Sequence, residues 1–283
     1  MRVLVTGSNG QLGHDTVVAC QAAGDEVLGC DHASVDIVDR DQVLGAITSF
    51  APDAVIHCAA WTAVDACQDD PGRAFATNGM AVRWVAEGCH RAGAHLVHLS
   101  TDYVFDGTLD RPYHEWDTPN PASVYGASKL AGEHEAERLG AAAAIVRTSW
   151  VCGQRGTNMV RTVLRLLEQQ DSLSFVDDQI GHPTFAADLA PMLRRIALDR
   201  RSGVHHLTNQ RAVSWFAFVR EIVAAAGRDP AIVTAIASAD LVPRRPAPRP
   251  ANSVLDNSVA RLSGLPSMRD FAAPLAELVA ALR

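Results

Sequence analysis

A short apolar run followed by three closely spaced glycines opens the chain: Val3-Leu4-Val5-Thr6-Gly7-Ser8-Asn9-Gly10-Gln11-Leu12-Gly13. The glycines have the spacing G-x-x-G-x-x-G and stand between a predicted strand and a predicted helix. Glycine permits a tight turn and a close approach of the backbone to a pyrophosphate, and the N–H groups at a helix start bind anions. We therefore predict that Gly7, Gly10 and Gly13 form a dinucleotide-binding turn.

The rest of the first half alternates short apolar runs with longer amphipathic segments. Continuous runs rich in Val, Ile and Leu are typical of strands that are buried on both faces of a parallel sheet. The predicted strands are 3–5, 26–30, 54–58, 95–99 and 143–146, and the predicted helices are 12–22, 39–50, 71–92 and 123–139. This alternation predicts an α/β fold with a Rossmann-type, doubly wound parallel sheet.

Composition narrows the class of protein. Of the 283 residues, 48% are hydrophobic and 20% charged, and the net charge of −7 argues against a protein that binds a nucleic-acid backbone. No apolar run approaches the ~20 residues that span a bilayer, and no secretory signal precedes the first strand. The six cysteines include no C-x-x-C pair and no zinc-finger spacing. We therefore expect a cytoplasmic protein with reduced thiols, no metal, and no nucleic-acid or membrane partner.

An acidic residue follows the second predicted strand. Asp31 lies 18 residues after Gly13, close to the ~20 residues at which a carboxylate binds the adenosine ribose hydroxyls of NAD. No arginine or lysine lies between Arg2 and Arg40 that would hold a 2′-phosphate. Asp31 therefore favours NADH, with a solvated loop acid as the alternative interpretation, and Asp36-Ile37 lies near enough to contact the adenine.

Only one of the 25 basic residues is a lysine, and it follows a tyrosine by four residues in Tyr125-Gly126-Ala127-Ser128-Lys129. These positions share one face of a helix, so the phenol and the ammonium can converge on one substrate. A nearby cation stabilises a phenolate and lowers the tyrosine pKa from its usual ~10. We therefore predict that Tyr125 and Lys129 are catalytic; the alternative is a surface pair on a helix.

The fourth predicted strand ends at Ser100-Thr101-Asp102. The carboxyl ends of parallel strands are where such folds bind ligands, and a hydroxyl there can hydrogen-bond a carbonyl oxygen on which charge builds. Threonine is common at strand ends, so Thr101 becomes a catalytic candidate only together with the Tyr–Lys pair.

Together these motifs resemble those of extended short-chain dehydrogenase/reductases, and most closely the dTDP-4-dehydrorhamnose reductase family. The resemblance spans nearly the whole chain. It is carried by residues 7–13, 58–65, 100–107, 124–133, 147–151, 178–184 and 249–253. The runs 100–107 and 178–184 are specific to this family rather than to the superfamily.

The resemblance implies that NADPH or NADH reduces the C4 ketone of dTDP-4-dehydro-L-rhamnose. Tyr125 would protonate the alkoxide, Lys129 would hold the ribose, and Thr101 would bind the ketone oxygen. The residues then expected to bind the cofactor are Gly7, Gly10, Gln11, Leu12, Gly13, Asp31, Asp36, Ile37, Ala59, Ala60, Trp61, Thr62, Tyr125 and Lys129. Those expected to bind the sugar nucleotide are Thr101, Asp102 and Trp150.

The strict alternation is lost after about residue 150. The resemblance implies a dinucleotide-binding domain of residues 1–150 plus about 173–208, and a smaller C-terminal substrate-binding lobe of about 151–172 plus 209–283. Residues 203–207 read as a strand and 214–226 as a capped helix. One of Arg244, Arg245 and Arg249 is expected to reach the substrate diphosphate, with solvated loop charges as an equal alternative.

Some relatives dimerise through magnesium bound by acidic side chains. Here Ala187 occupies one such position and the tail 278–283 has no acid. We therefore expect no metal, and either a monomer or a homodimer.

Three alternative functions share this fold. A sugar-nucleotide 4,6-dehydratase carries an Asp-Glu pair after the threonine, where this chain has Asp102-Tyr103. A 4-ketoreductase for another dTDP-4-keto-6-deoxy sugar would use identical chemistry and stays open. A non-catalytic, nucleotide-binding regulatory subunit would not need the Tyr–Lys pair that this chain retains.

Overall fold

The computed structural model describes residues 1–283. The strands are β1 (Arg2–Thr6), β2 (Glu26–Cys30), β3 (Ala54–His57), β4 (His95–Thr101), β5 (Ala143–Thr148), β6 (Val151–Cys152), β7 (Leu173–Val176), β8 (Ile180–Gly181), β9 (Thr184–Phe185), β10 (Gly203–His206), β11 (Val213–Ser214) and β12 (Val233–Ile236). The helices are α1 (Gln11–Ala22), α2 (Arg40–Phe50), α3 (Val64–Asp69), α4 (Pro71–Phe75), α5 (Ala81–Ala92), α6 (Val124–Glu137), α7 (Met159–Leu167), α8 (Ala186–Leu198), α9 (Trp215–Ala225), α10 (Ser258–Leu262) and α11 (Ala272–Leu282). None of these helices has the length and apolar character needed to cross a membrane.

Six strands form one parallel sheet in the order β10-β5-β4-β3-β1-β2. Helices α1 and α8 pack on one face, and α2, α5 and α6 pack on the other. The predicted doubly wound α/β fold is therefore confirmed. Because β2 and β3 lie on opposite sides of β1, the strand order reverses there, and ligands bind in the crevice outside the carboxyl ends of such strands.

Successive side chains of the central strands enter opposite cores. Val3 and Val5 pack with α1 and α8, whereas Leu4 packs with α2 and α5. Ile56 and Val55 of β3 divide in the same way. Both faces are buried, which is why these strands appear in the sequence as continuous apolar runs. All five strands predicted in the first half are present.

The predicted helix 71–92 contains an interruption. Pro71 begins it and Gly93, with φ +68°, ends it, as predicted. Between α4 and α5, however, residues Ala76–Met80 form a π-helical turn. Such turns occur frequently at functional sites.

A second core organises the C-terminal lobe. It is built around α7, α9 and α11, with Phe218 and Phe271 fully buried at its centre. Strand β7 pairs with β12, and Leu173 packs in this second core. The division of the chain into domains stays a prediction, and the packing favours assigning residues 173–185 to the C-terminal lobe.

Two further predictions for this region are confirmed. The expected strand 203–207 is β10, at the edge of the large sheet. The expected helix 214–226 is α9, and the Ser214 hydroxyl caps it by accepting a hydrogen bond from the N–H of Ala217 at 3.1 Å.

Candidate active site

The glycine turn fits closely between β1, α1 and β3. A Cβ atom on Gly13 would lie 2.1 Å from the carbonyl oxygen of Gly7, and one on Gly7 would lie 2.9 Å from the Cα atom of Ala59. Gly7 also has φ +66°, a conformation that favours glycine. No side chain caps α1 at Gly10, so its first N–H groups are available to an anion.

An open cavity of about 530 Å³ lies at this turn, a size typical of small-ligand sites. The structure brings together here most of the residues that were predicted to bind the cofactor: Gly7, Gly10, Asp31, Asp36, Ile37, Ala59, Ala60 and Trp61. They come from the ends of β1, β2 and β3, which meet at one edge of the sheet.

The carboxylate of Asp31 is fixed at the rim of this cavity. Its Oδ1 accepts hydrogen bonds from the N–H groups of Ala33 at 3.1 Å and Ser34 at 3.0 Å, and the Asn9 amide donates to its Oδ2. The Ser34 hydroxyl, which also donates to Oδ1, holds the pKa of Asp31 below its usual value. Asp31 is therefore an oriented anion with oxygens suited to ribose hydroxyls.

Six of the predicted cofactor residues do not line this cavity: Gln11, Leu12, Gly13, Thr62, Tyr125 and Lys129. Three of them have side chains with other contacts. Leu12 packs in the core beneath α1. The Gln11 amide accepts from Gly153 N–H at 3.1 Å and from Asn158 at 2.8 Å, so it ties α1 to the C-terminal lobe. Thr62 lines a different cavity, described below. Gln11 and Leu12 can contribute only backbone N–H groups to the nucleotide cavity.

Two polar residues that the sequence did not point to act on this cavity: Arg73 lines it, and Asn78 binds the backbone of Trp61, which lines it. The Arg73 guanidinium lines the cavity and lies 4.4 Å over the Trp61 ring. Asn78, in the π-helical turn, accepts from the Trp61 N–H at 2.8 Å and donates to the Trp61 carbonyl and the Ser128 hydroxyl, both at 3.0 Å. Their positions depend on tertiary contacts, which a single helical segment does not reveal.

The catalytic candidates meet at the beginning of α6. Ser123 caps this helix by accepting from the Gly126 N–H at 3.1 Å. A Cβ atom on Gly126 would lie 2.1 Å from the Tyr103 carbonyl oxygen, so the helix start packs directly on the segment that follows β4. The rings of Tyr103 and Tyr125 meet edge to face at 5.5 Å, and the Thr101 hydroxyl faces the Tyr125 phenol.

Lys129 is buried one turn further along α6. Its Nζ donates to the carbonyl oxygen of Leu99 at 2.6 Å, at the end of β4. The prediction that Lys129 lowers the Tyr125 pKa is wrong: burial raises the pKa of Tyr125, and only the Thr101 hydroxyl opposes this. Burial also lowers the pKa of Lys129 to about 8. The ammonium interacts with the strand carbonyl rather than with the phenol.

Asp102, predicted to bind the sugar nucleotide, points into the protein. Its side chain accepts hydrogen bonds from the Thr101 hydroxyl at 3.0 Å and from the Ser149 hydroxyl at 3.1 Å. Burial raises the pKa of Asp102 to about 6, against the effect of these hydroxyls and of Ser253. The carboxyl group is thus hydrogen-bonded to Thr101, one of the catalytic candidates.

A second cavity, of about 320 Å³, lies between the two lobes. Its lining includes Thr62 and Tyr103 from the first lobe, and Met159, Trp215 and Arg245 from the second. We refer to it as the interlobe cavity. Tyr103 links it to the catalytic candidates.

Trp150 helps to shape the wall beside the interlobe cavity. Its indole stacks on Trp215 with ring centroids 3.5 Å apart, and its φ of +45° is unusual for a side chain of this size. A Cβ atom on Gly181 would lie 2.7 Å from the indole, so the glycine in the run 178–184 makes room for it.

Two of the three loop arginines, Arg245 and Arg249, lie at the interlobe cavity, and only Arg249 is paired with an acid. Arg249 is nine-tenths buried and bound to both oxygens of Asp65, at 2.5 and 2.6 Å. Arg249 is therefore not a solvated loop charge, because its guanidinium is already paired with Asp65. Arg245 lines the interlobe cavity and has no such ion pair.

Comparison with known proteins agrees with this geometry. The family model described as the RmlD substrate binding domain matches residues 1–283. A dTDP-4-dehydrorhamnose reductase from Streptomyces griseus is 40% identical, over 99% of this chain and 94% of that protein.

Two solved structures extend the comparison to the fold. A dTDP-4-dehydrorhamnose reductase from Clostridium acetobutylicum is 36% identical with a TM-score of 0.95, over 100% of this chain and 99% of that one. A dTDP-4-dehydrorhamnose reductase from Bacillus anthracis in complex with NADP is 34% identical with a TM-score of 0.94, over 99% of each chain. The similarity covers both lobes, and the chain belongs to the dTDP-4-dehydrorhamnose reductase family.

Proposed function

We propose that this protein reduces the C4 ketone of dTDP-4-dehydro-L-rhamnose to the alcohol of dTDP-L-rhamnose, with NADPH or NADH as reductant. One observation carries the proposal beyond family membership. The glycine-turn cavity and the Thr101–Tyr125 pair open at the same edge of the sheet, which is where a hydride donor and a ketone must meet.

The residues of the glycine-turn cavity fit a dinucleotide. The uncapped N–H groups of α1 suit its pyrophosphate, and the fixed carboxylate of Asp31 suits the hydroxyls of its adenosine ribose. Asp36 and Ile37 lie where they can contact the adenine. When bound, the reduced nicotinamide supplies a hydride. We assign Lys129 the nicotinamide ribose, since its compact ammonium is held at the end of β4.

The interlobe cavity is the proposed site of the sugar nucleotide. Trp150 and Trp215 supply flat apolar surface, and the Arg245 guanidinium suits a diphosphate. Binding there places the sugar between the C-terminal lobe and Thr101. We propose that the first predicted domain binds the dinucleotide and that the second binds the sugar nucleotide. We also propose that the protein is a monomer or a homodimer.

The chain's own residues then act on the reacting oxygen. Thr101 hydrogen-bonds the ketone oxygen and orients it. Tyr125 donates its phenolic proton as the oxygen becomes an alkoxide. The raised pKa of Tyr125 keeps the phenol protonated at neutral pH, so the proton is present before the hydride arrives.

The product identifies the function directly. Purified protein is incubated with dTDP-4-dehydro-L-rhamnose and either reductant, and the product sugar is identified by NMR. We expect dTDP-L-rhamnose with one reductant consumed per sugar. The epimeric alcohol would instead show a 4-ketoreductase for another sugar. Cofactor binding without turnover would contradict the proposal and indicate a regulatory subunit.

A further inference from the structure

One ion pair joins the two lobes at the wall of the interlobe cavity. Asp65 lies in the first turn of α3, in the first lobe, and Arg249 lies in the loop that precedes α10. The Arg249 guanidinium donates to both oxygens of Asp65, at 2.5 and 2.6 Å, across 184 positions of the chain. Val64 and Arg249 both line the cavity, so the pair lies beside the proposed site of the sugar nucleotide.

The same carboxylate holds residues 242–249, which we call the arginine loop. Oδ1 of Asp65 accepts from the Ala247 N–H at 3.2 Å, and the Arg249 guanidinium donates to the Ala247 carbonyl at 2.6 Å. Residues 242–248 make no other hydrogen bonds. The position of this part of the loop therefore depends on Asp65.

Arg245, in the same loop, lies near Asp65 but is not bound to it. Its side chain is exposed, lines the interlobe cavity and forms no ion pair. Hydrogen bonds from Arg249, together with the more distant Arg245 charge, hold the pKa of Asp65 below its usual value. A guanidinium that is kept near a cavity without a partner of its own is suited to a diphosphate.

The Arg249 side chain has one donor left for a ligand. Its Nη1 and Nη2 groups donate to Asp65 and to the Ala247 carbonyl. Its Nε–H is buried and meets no acceptor in the protein. A buried donor is costly to leave unpaired, so this N–H is suited to an oxygen of a molecule in the interlobe cavity.

We propose that Asp65 is a positioning residue for the sugar nucleotide: it fixes the arginine loop against α3, so that Arg245 faces the diphosphate and Arg249 offers its Nε–H to a ligand oxygen. This inference rests on the proposed function, because it takes the interlobe cavity as the site of the sugar nucleotide. Asp65 itself does not touch the substrate and acts through the two arginines.

Charge and position predict opposite effects when this carboxylate is neutralised. Asp65→Asn removes a negative charge beside the site of an anionic diphosphate, and by Coulomb attraction alone this would tighten binding. The amide keeps one acceptor oxygen, but its NH₂ group would face an N–H group of Arg249, so the two-oxygen contact is lost. Weaker binding in spite of the more favourable charge is therefore the signature of a positioning role.

Calorimetric titration with dTDP measures this effect without turnover. We expect Asp65→Asn to raise the dTDP Kd by about tenfold, the loss expected for one charge-assisted hydrogen bond, and to leave the Kd of the reduced cofactor unchanged. Asp65→Glu keeps both acceptor oxygens and should bind dTDP more tightly than Asp65→Asn. Asp69→Asn is the matched control: Asp69 lies one turn further along α3, is exposed and forms no hydrogen bond or ion pair, so this variant should keep the wild-type Kd.

A double-mutant cycle tests whether Asp65 acts through the arginine loop. Arg245→Gln should raise the dTDP Kd by about tenfold in the wild-type protein, because a cation beside the diphosphate is lost. In the Asp65→Asn background the arginine is no longer held in place, so the same substitution should raise the Kd by no more than about twofold. A merely structural role of Asp65 would leave the two losses equal.

The outcomes separate this inference from the proposed function. Unchanged or tighter dTDP binding by Asp65→Asn, or equal effects of Arg245→Gln in both backgrounds, would overturn the inference. Absence of dTDP binding by the wild-type protein would overturn it as well. If the expected weakening and coupling are observed but no 4-keto sugar is reduced, it is the proposed function that fails.

Discussion

Lys129, the single lysine of the chain, is buried among its neighbours. Its ammonium is buried 2.6 Å from the Leu99 carbonyl oxygen, against the end of β4. Lys129→Arg keeps the charge but requires a wider, planar group in that space. We expect kcat to fall by about 10²-fold, the effect of misplacing a substrate-positioning group by ~1 Å.

Arg138→Lys, an exposed exchange at the end of α6, is the matched control for this variant and should leave kcat unchanged. Near-normal turnover of Lys129→Arg would show that the position tolerates any cation. The presence of one lysine in a chain whose other basic residues are arginines would then have no catalytic explanation.

We also expect one residue to influence cofactor choice. In the proposed complex, the Asp31 carboxylate would accept hydrogen bonds from ribose hydroxyls and repel a 2′-phosphate. Asp31→Ala should therefore shift the ratio of kcat/KM values toward NADPH, whereas Asp41→Ala, a nearby exposed acid, should not. Steady-state kinetics with both reductants measure this ratio. An unchanged ratio would remove Asp31 from the cofactor site, and Arg73, on the cavity wall, would be tested next.

Residue types and spacing predicted much of the site, but not the direction of its side chains. Gly7, Asp31 and Trp61 line one cavity because they follow neighbouring strands of a parallel sheet. Thr62 follows Trp61 in sequence, yet it faces the other cavity. The inward orientation of Asp102 depends on the adjacent Thr101 hydroxyl and also on the hydroxyls of Ser149 and Ser253, which lie 47 or more positions away, so the local sequence did not indicate it.

At the scale of elements, the glycine turn sets the distance between β1 and α1. A methyl group on Gly13 would meet the Gly7 carbonyl oxygen at 2.1 Å, and this oxygen belongs to the backbone of the turn and cannot move aside as a side chain can. Gly13→Ala should therefore displace α1 and weaken cofactor binding by at least about tenfold, or 1.4 kcal/mol. Fluorescence titration of the reduced cofactor gives the Kd.

Gly45→Ala is the matched control for the turn. Gly45 lies within α2, and a methyl group there would meet no atom within 4 Å. This variant should keep the wild-type Kd and gain about 0.5–1 kcal/mol of stability from better helix propensity. Normal cofactor binding by Gly13→Ala would contradict the role assigned to the turn.

Elements with a strong periodic pattern were predictable, and interruptions were not. Strands buried on both faces and helices bounded by Pro71 or Gly93 carry their signals locally. The π-helical turn at Ala76–Met80 places Asn78 against Trp61 and Ser128. The interruption allows these tertiary contacts. Because the helical period of the sequence continues on both sides of it, the sequence pattern does not reveal the interruption.

At the scale of the whole molecule, buried neutral histidines make stability depend on pH. Burial lowers the pKa of His57 and His206 to about 3 and of His182 to about 4, and that of His98 well below its usual value. Unfolding lets each of them bind a proton below pH ~6.5. Their contribution to stability is therefore complete above that pH and is lost progressively as the pH falls toward the folded-state values.

Asp102 acts in the opposite direction, because its pKa is raised to about 6 and the folded state binds its proton first. The four histidines outweigh it. The free energy of unfolding should fall by about 4 kcal/mol between pH 7 and 5.5, at about 1.4 kcal/mol per pH unit for each net proton. Urea titrations at the two pH values measure this change, and equal stabilities would contradict the burial of neutral histidines.

The lobes themselves were only partly predictable. The loss of strand–helix alternation marked the C-terminal lobe, but β7 joins its core through pairing with β12, about 60 residues later in the chain. Similarly, Ala260 of α10 returns to the core of the first lobe. Such contacts over long sequence separation leave no periodic signal in the segments that make them.

The central claim is that Tyr125 protonates a sugar ketone at the edge of the dinucleotide cavity. The measurement that tests it most directly is kcat of Tyr125→Phe beside wild type, with dTDP-4-dehydro-L-rhamnose at neutral pH and with the cofactor Kd measured in parallel. Removal of the general acid should lower kcat by about 10²–10⁴-fold and leave the Kd nearly unchanged. Turnover of Tyr125→Phe at the wild-type rate would contradict the account.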